Sequence, residues 1–125
     1  MSSQAASGKI LIADDDPAIV EALTMILEDE GYVIEGTHGR ETIMKVSIWA
    51  PDLLFLDMWM PDMNGREICE QLKRRERTRD IPIIMLSASK DAEVIARAAG
   101  ADTFLPKPFE LERVLAVAKQ YIQRG

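Results

Sequence analysis

Polar residues end four short apolar runs, and their side chains could do chemistry together. Asp57 follows the run Leu-Leu-Phe-Leu, and Asp14 and Asp15 follow Ile-Leu-Ile-Ala. Ser87 ends a third apolar run and Lys107 ends a fourth. If these runs are neighbouring parallel strands, their polar ends lie on the same edge of one sheet. Three carboxylates, a hydroxyl and an ammonium group would then meet at that edge.

These residue types predict a metal-assisted transfer of a phosphoryl group. Clustered carboxylates repel one another, and protonation or a divalent cation relieves the repulsion. Oxygen ligands suit Mg²⁺, whereas zinc would call for ligands such as His38 and Cys69, which are far apart in the sequence. A carboxylate beside bound Mg²⁺ is a competent nucleophile toward phosphorus, and the product would be an acyl phosphate on Asp57. Lys107 and Ser87 would then bind the phosphoryl oxygens.

The elements that position these residues follow from the hydrophobic pattern, which alternates between short apolar runs and apolar residues at helical spacing. The pattern predicts strands at Lys9–Ala13, Tyr32–Glu35, Leu53–Leu56, Ile81–Leu86 and Thr103–Leu105. It predicts helices from Ile19 to a stop at Gly31, and over Arg40–Trp49, Gly65–Leu72, Ala92–Ala99 and Leu111–Ile122. Strands that are apolar on both faces predict an α/β fold, in which helices cover a parallel five-stranded sheet on both sides.

The order of the strands determines where the site lies. Pro106 cannot donate to a ladder and places the fifth strand at an edge, which the order 2-1-3-4-5 satisfies. In such a doubly wound sheet the ligand binds where the order reverses, here between strands 1 and 3. Ser87 would lie one strand from Asp57, about 4.8 Å, and Lys107 about 10 Å away, so the short and long side chains match those distances.

Composition excludes several classes of protein. The 125 residues suit one domain, predicted over residues 9–123, and residues 1–8 lack periodicity and are expected to be a flexible leader. No apolar stretch approaches the roughly 20 residues of a membrane span. The net charge of −6 disfavours direct binding to nucleic acid or anionic membranes. The single cysteine allows no internal disulfide, and there is no secretory signal, so a reducing cytoplasm is the expected compartment.

Four motifs together resemble the receiver domain of two-component response regulators, over about residues 10–122. They are ILIADDD at 10–16, LDMWMPDMNG at 56–65, IMLSA at 84–88 and KPF at 107–109. The resemblance implies a flavodoxin-like fold with Asp57 as phosphoacceptor. It also implies that Mg²⁺, or Mn²⁺, is held by Asp14, Asp15, Asp57 and the backbone carbonyl of Trp59.

The resemblance also implies a switching mechanism and partners. Ser87 resembles the switch hydroxyl of the family and Phe104 the switch aromatic, whose ring is expected to rotate inward when the hydroxyl moves toward the phosphoryl group. The Lys107–Pro108 peptide bond is expected to be cis. The phosphodonor would be a sensor histidine kinase or a histidine phosphotransfer protein, and the surface of helix 4, strand 5 and helix 5 would bind a downstream protein.

Trp59 and Ser89, two residues after Asp57 and Ser87, are candidates for tuning the lifetime of the phosphate. Trp59 could shield the acyl phosphate from water, or it could pack on the loop or touch a partner. The chain is predicted to be a stand-alone receiver rather than a turnover enzyme, with a fragment of a longer regulator as the alternative.

Other interpretations remain open at this point. An aspartate-nucleophile phosphatase of the haloacid dehalogenase type needs an acid where Trp59 stands, and a constitutive scaffold would not need the full set of polar residues. Asp16, before Pro17, is expected to be a helix N-cap, His38 a solvated loop residue and Cys69 a small core residue. The charged segment from Lys73 to Asp80 is expected to be a solvated helix end and loop.

Overall fold

The computed structural model describes residues 8–122, and the predicted leader lies outside these residues except for Gly8. Ten elements alternate along this part of the chain. The strands are β1 Lys9–Ala13, β2 Val33–Thr37, β3 Leu53–Asp57, β4 Ile83–Ser87 and β5 Thr103–Pro106. The helices are α1 Pro17–Glu28, α2 Glu41–Trp49, α3 Gly65–Arg74, α4 Ala92–Ala98 and α5 Leu111–Ile122.

All five strands are parallel and form one sheet in the order β2-β1-β3-β4-β5, as predicted. The predicted α/β fold of five βα units is therefore confirmed. Pro106 ends the edge strand β5, where its missing N–H removes no ladder hydrogen bond. The reversal of strand order lies between β1 and β3, so these two strands flank the crevice at their carboxyl ends.

Helices cover both faces of the sheet because alternate residues of each strand point to opposite sides. Leu54 and Leu56 of β3 belong to a core that includes residues of α2, α3 and α4, and we call this core layer A. Leu53 and Phe55 of the same strand belong to a second core with residues of α1 and α5, which we call layer B. Every residue of β3 is buried, which is why this strand contains no outward polar position before Asp57.

The helix ends follow local sequence chemistry. The side chain of Asp16 accepts a hydrogen bond from the N–H of Ala18, so the predicted N-cap before Pro17 is confirmed. Helix α2 ends at Ala50, which has a φ of 52° and precedes a proline. Gly100, with a φ of 100°, ends the turn after α4, where a Cβ would be strained.

Two strands are displaced from their predicted positions. β2 was expected at Tyr32–Glu35 but extends to Thr37, because pairing with β1 continues through the polar end of the strand. β4 was expected from Ile81 but begins at Ile83. In both cases the apolar pattern did not locate the ends of the strand, because the ends depend on pairing with a neighbouring strand.

The charged segment after α3 is more structured than expected. The Nζ of Lys73 donates to the carbonyl oxygens of Arg79 and Ile81, at 3.1 and 2.9 Å. Thr78 is buried, and its hydroxyl donates to the carbonyl oxygen of Leu72. The prediction of a merely solvated segment was therefore wrong for these anchoring residues. Across residues 8–122, no helix has the length and apolar character needed to cross a membrane.

Candidate phosphoryl-transfer site

The carboxyl ends of β1 and β3 bring the predicted acidic residues together. Ala13, the last residue of β1, pairs with Leu56 of β3. The next residues, Asp14 and Asp57, therefore lie side by side at the carboxyl edge of the sheet. Asp14 and Asp15 follow β1, and Asp57 is the last residue of β3. One carboxylate oxygen from each of these three side chains lies within 4.8 Å of the others. This is close enough for a single cation to contact all three.

Lys107 reaches this cluster from the edge strand β5. Its Nζ lies 3.0 Å from Oδ2 of Asp14 and 3.1 Å from Oδ1 of Asp57. The backbone N–H of Lys107 donates to the carbonyl oxygen of Ser87, which fixes the start of the loop after β5. The peptide bond to Pro108 is cis, as predicted. One ammonium group therefore bonds two of the three carboxylates.

Burial and nearby charges shift the pKa values of Asp57 and Lys107. Burial raises the pKa of Asp57, and the charge of Asp14 raises it further, so together they outweigh the effect of Lys107. Burial alone would lower the pKa of Lys107, but its hydrogen bonds and charge interactions with Asp14 and Asp57 reverse the effect and raise the pKa. The lysine is therefore held as a cation, while the Asp57 carboxylate lacks full compensation.

Asp14 is fixed by the backbone around it. Its side chain is buried, and its Oδ1 accepts from the N–H of Asp16 at 2.9 Å. Its own N–H donates to the carbonyl oxygen of Thr37 at the end of β2. Asp15, in contrast, is exposed. The cluster therefore has two buried carboxylates and one at the solvent boundary, where a ligand or a partner could enter.

Gly65 holds the start of α3 against the backbone of Asp57. A Cβ at Gly65 would lie 2.3 Å from the carbonyl oxygen of Asp57 and 3.0 Å from Cα of Met58. Glycine is needed here for this close approach of two backbone segments. The N–H of Gly65 donates to the carbonyl oxygen of Met58, and the side chain of Asn64 caps α3 through the N–H of Glu67.

The two predicted switch residues are both buried beside this edge. Ser87 is fully buried, and its Oγ accepts a hydrogen bond from the N–H of Ser89 at 3.1 Å. Phe104 is 8% exposed and packs in layer A. The ring of Phe104 is thus already turned into the protein, so an inward rotation does not start from this conformation. Ser89 itself is exposed.

Trp59 lies in the loop between β3 and α3, and 56% of its surface is exposed. The same loop is attached to the loop before α2 by contacts that the sequence did not reveal. The N–H of Gly39 donates to Sδ of Met60 at 3.4 Å, and the N–H of Arg40 donates to a carboxylate oxygen of Asp62 at 3.3 Å. The only sequence signal was the glycine at position 39, which has a φ of 59°.

His38 and Cys69 lie where the sequence placed them. His38 is an exposed loop residue after β2. Cys69 is buried in layer A, with Sγ 3.5 Å from the carbonyl oxygen of Ala99, and burial raises the pKa of its thiol to about 11. The prediction that Cys69 is a small core residue is confirmed.

Comparison with known proteins places the whole folded part of the chain in one family. The response regulator receiver domain matches residues 10–119. Response regulator MprA of Mycobacterium tuberculosis is 41% identical over 121 residues, which are 94% of this chain and 52% of MprA. The chain spans about half the length of the curated relatives it matches.

Solved structures share the fold over nearly their full length. A putative response regulator from Chloroflexus aurantiacus superimposes with a TM-score of 0.89 and 29% identity, covering 94% of this chain and 99% of that one. The receiver domain of the sensor histidine kinase PA1611 of Pseudomonas aeruginosa has a TM-score of 0.86 at 22% identity, covering 94% and 98%, a likeness of fold alone.

The family match covers all ten elements except Lys9 of β1 and the last three residues of α5, and the flavodoxin-like strand order agrees with it. The acidic residues, the lysine and the buried serine lie at the carboxyl edge of this sheet. The chain therefore belongs to the family of response regulator receiver domains.

Proposed function

We propose that this receiver domain is a phosphorylation-dependent switch that accepts a phosphoryl group on Asp57. The observation that carries the proposal is the cluster of three carboxylate side chains within 4.8 Å, two of them bonded by one lysine. Structural ion pairs rarely gather an excess of buried acid, because the excess is destabilising. Such a cluster is explained if a cation and a phosphoryl group are its normal occupants.

The acidic residues fit a hard cation. Asp14, Asp15 and Asp57 would supply carboxylate oxygens and Trp59 its backbone carbonyl, while waters and phosphoryl oxygens complete the shell that Mg²⁺ or Mn²⁺ prefers. In the solved PA1611 receiver domain, a magnesium ion is coordinated in the active-site cleft. When bound, the ion would offset the negative charge that develops on the phosphoryl oxygens.

The residues of this chain have separate roles in the transfer. A carboxylate oxygen of Asp57 attacks phosphorus, and the bond from phosphorus to the donor nitrogen or oxygen breaks, with the electron pair leaving on the donor. Lys107, which already contacts Asp57, would bind an oxygen of the transferred group. Ser87 would donate its hydroxyl hydrogen to another phosphoryl oxygen.

The proposed switch joins Ser87 to Phe104. A phosphoryl group on Asp57 would offer new acceptors, and the Ser87 hydroxyl would leave the N–H of Ser89 to reach them. The buried ring of Phe104 belongs to one of two conformations, and in the other the ring would be exposed. Phosphorylation would shift the population between them and so change the surface formed by α4, β5 and α5.

Trp59 and Ser89 are proposed to tune hydrolysis. Both are exposed and lie two residues beyond Asp57 and Ser87, where a side chain can lean over a phosphoryl group and limit the approach of water. Trp49 is the other tryptophan of the chain. If Trp59 lies over the cation site, adding Mg²⁺ should alter tryptophan emission in the wild type and not in Trp59→Phe. An unchanged wild-type signal would place the ring elsewhere.

The partners follow from this chemistry. A sensor histidine kinase or a histidine phosphotransfer protein would supply the phosphoryl group in the cytoplasm, and a downstream protein would bind the α4-β5-α5 surface. The chain would act as a switch rather than as an enzyme with turnover. A stand-alone receiver is the prediction from the sequence. The half-length match to curated relatives supports the alternative, a receiver from a longer regulator.

Intact-mass measurement after incubation with acetyl phosphate and Mg²⁺ tests the proposal. The wild type and Asp16→Asn should gain the mass of one phosphoryl group, and Asp57→Asn should not. Asp16→Asn is a matched control because asparagine also caps a helix and this acid lies outside the carboxylate cluster. Continuous release of inorganic phosphate would favour the phosphatase alternative. If the wild type stays unlabelled, only the interpretation of the protein as a constitutive scaffold would remain.

A further inference from the structure

The loop between β3 and α3 is held on both sides of Trp59. Before this residue, the carbonyl oxygen of Met58 accepts a hydrogen bond from the N–H of Gly65 at 2.8 Å. After it, Sδ of Met60 accepts from the N–H of Gly39, in the turn before α2, at 3.4 Å. Met60 is 7% exposed and packs in layer A, and Gly39 is buried. Because both groups are buried, water competes little for the bond between them.

A second bond between the same loop and the turn before α2 ends at Asp62. Its Oδ2 accepts from the backbone N–H of Arg40 at 3.3 Å and lies 3.9 Å from Nε of the same arginine. Arg40 is the N-cap residue of α2, and its own side chain makes no capping hydrogen bond. Gly39 leaves room for the carboxylate, which a Cβ at this position would displace. The helix dipole of α2 also favours an acid at this end.

Trp59 itself has no such attachment. The residue is 56% exposed, and within residues 8–122 its backbone carbonyl accepts no hydrogen bond. It lies two positions after Asp57, and its carbonyl is the proposed backbone ligand of the cation. A ligand group that is free to turn must be ordered when the ion binds, and this ordering costs affinity. The conformation of this peptide group therefore depends on the residues that flank it.

We propose that Met60 and Asp62 are positioning residues, which hold the peptide group of Trp59 in the conformation that binds the cation. Neither side chain is a ligand of the ion, and each acts by accepting a hydrogen bond from the turn before α2. The inference rests on the proposed function, because it concerns the cation that assists transfer to Asp57. Groups behind a metal ligand contribute to affinity by fixing the orientation of that ligand. Loss of these bonds should therefore weaken Mg²⁺ binding although every ligand remains.

Calorimetric titration of the full chain with Mg²⁺, without a phosphodonor, tests the role of Asp62. Asp62→Ala and Asp62→Asn remove the same charge, but only asparagine keeps an oxygen that can accept from the N–H of Arg40. Asp62→Ala should bind Mg²⁺ about tenfold more weakly than Asp62→Asn. Equal affinities in the two variants would overturn the proposal, because charge alone would then account for any loss.

Met60→Leu is a second variant, which keeps nearly the same volume and removes the sulfur acceptor. It should bind Mg²⁺ about threefold more weakly than the wild type, a smaller effect because a thioether is a weak acceptor. Melting curves in EDTA verify that each variant folds. A purely structural role would lower the melting temperature and leave the Mg²⁺ affinity of the folded protein unchanged, which would contradict the proposal.

A carbon-13 NMR signal reports on the carbonyl itself. Tryptophan labelled at its backbone carbonyl gives two signals, from Trp49 and Trp59, and Trp59→Phe assigns them. The Trp49 carbonyl already accepts from Nζ of Lys9 and is an internal reference. Mg²⁺ should shift the Trp59 signal and leave the Trp49 signal in place. In Asp62→Ala the same shift should require about tenfold more Mg²⁺.

The outcomes separate this inference from the proposed function. If the Trp59 signal does not move with Mg²⁺ in a wild type that still gains a phosphoryl group, the positioning role is refuted and the proposed function stands. If the wild type neither binds Mg²⁺ nor gains a phosphoryl group, both are refuted.

Discussion

Removal of the charge of Asp57 should stabilise the protein when no cation is present. At an effective dielectric constant of about 20, two carboxylate oxygens that lie within 4.8 Å of each other repel by at least about 3.5 kcal/mol. Lys107, at 3.1 Å from Asp57, offsets this by about 5 kcal/mol on the same scale. Asp15 is exposed and screened, and adds about 1–2 kcal/mol of further repulsion. The charge interactions of Asp57 therefore nearly cancel, and its burial remains uncompensated.

We expect Asp57→Asn to raise the free energy of unfolding by about 1 kcal/mol in EDTA, which corresponds to a melting temperature about 4 °C higher for a domain of this size. Mg²⁺ should reverse the order. At ten times its dissociation constant, a cation that binds only the folded wild type adds about 1.4 kcal/mol, or about 5 °C. The variant, with one ligand removed, should respond by less than half as much.

The pH dependence gives an independent check. Because the pKa of Asp57 in the fold is raised above its ordinary value of 3.8, the folded protein holds this proton more tightly than the unfolded chain. The stability contributed by the protonated group is present below about pH 4 and is lost as the pH rises through the raised pKa. The advantage of Asp57→Asn should therefore be largest at neutral pH and should disappear in acid.

Differential scanning fluorimetry in EDTA and in Mg²⁺ measures both effects, with Asp16→Asn as the control. Asp16→Asn should leave the response to Mg²⁺ unchanged, because its carboxylate lies outside the cluster. If Asp57→Asn melts several degrees lower than the wild type in EDTA, the carboxylate is fully compensated and the reasoning fails. Equal Mg²⁺ responses in the wild type and the variant would show that the cation binds elsewhere.

Three further predictions concern the surroundings of the site. Gly65→Ala should lower the free energy of unfolding by about 2 kcal/mol, because its Cβ would lie 2.3 Å from the backbone of Asp57. A urea denaturation curve identical to that of the wild type would contradict this. Thr42 is buried and its Oγ1 has no hydrogen-bond partner among residues 8–122, so Thr42→Val should raise stability by about 1 kcal/mol in the same assay. Cys69, with a pKa of about 11, should be alkylated at pH 8 only as fast as the protein unfolds. Rapid native labelling, followed by mass spectrometry, would disprove its burial.

The fold was predictable because its determinants are local and repeated. Each buried strand of a parallel sheet is a short apolar run, and each covering helix is an apolar stripe, so the alternation of periods specifies five βα units. The proline at position 106 then limits the order of the strands. The ends of β2 and β4 were not predictable in the same way. Pairing with a neighbouring strand, which depends on register, decides where a strand stops.

The sequence predicted which residues belong to the site but not the contacts between them. The ends of parallel strands place polar residues at a shared edge, so the sequence alone predicts that Asp14, Asp57 and Lys107 lie together. That one ammonium group bonds both acids follows from side-chain packing across three strands. The buried ring of Phe104 likewise depends on how β4 and β5 pack against α4.

The sequence by itself determined the order of the elements, the edge at which the chemistry lies and the residue types that could perform it, because these depend on periodicity and on chain direction. Only the tertiary structure decided which charges are compensated and which helix face is left uncovered. The raised pKa of Asp57 and the exposed Met44 and Ile48 on α2 both arise from distances between residues far apart in the chain. No local pattern encodes those distances, because burial and charge pairing are properties of the packed molecule.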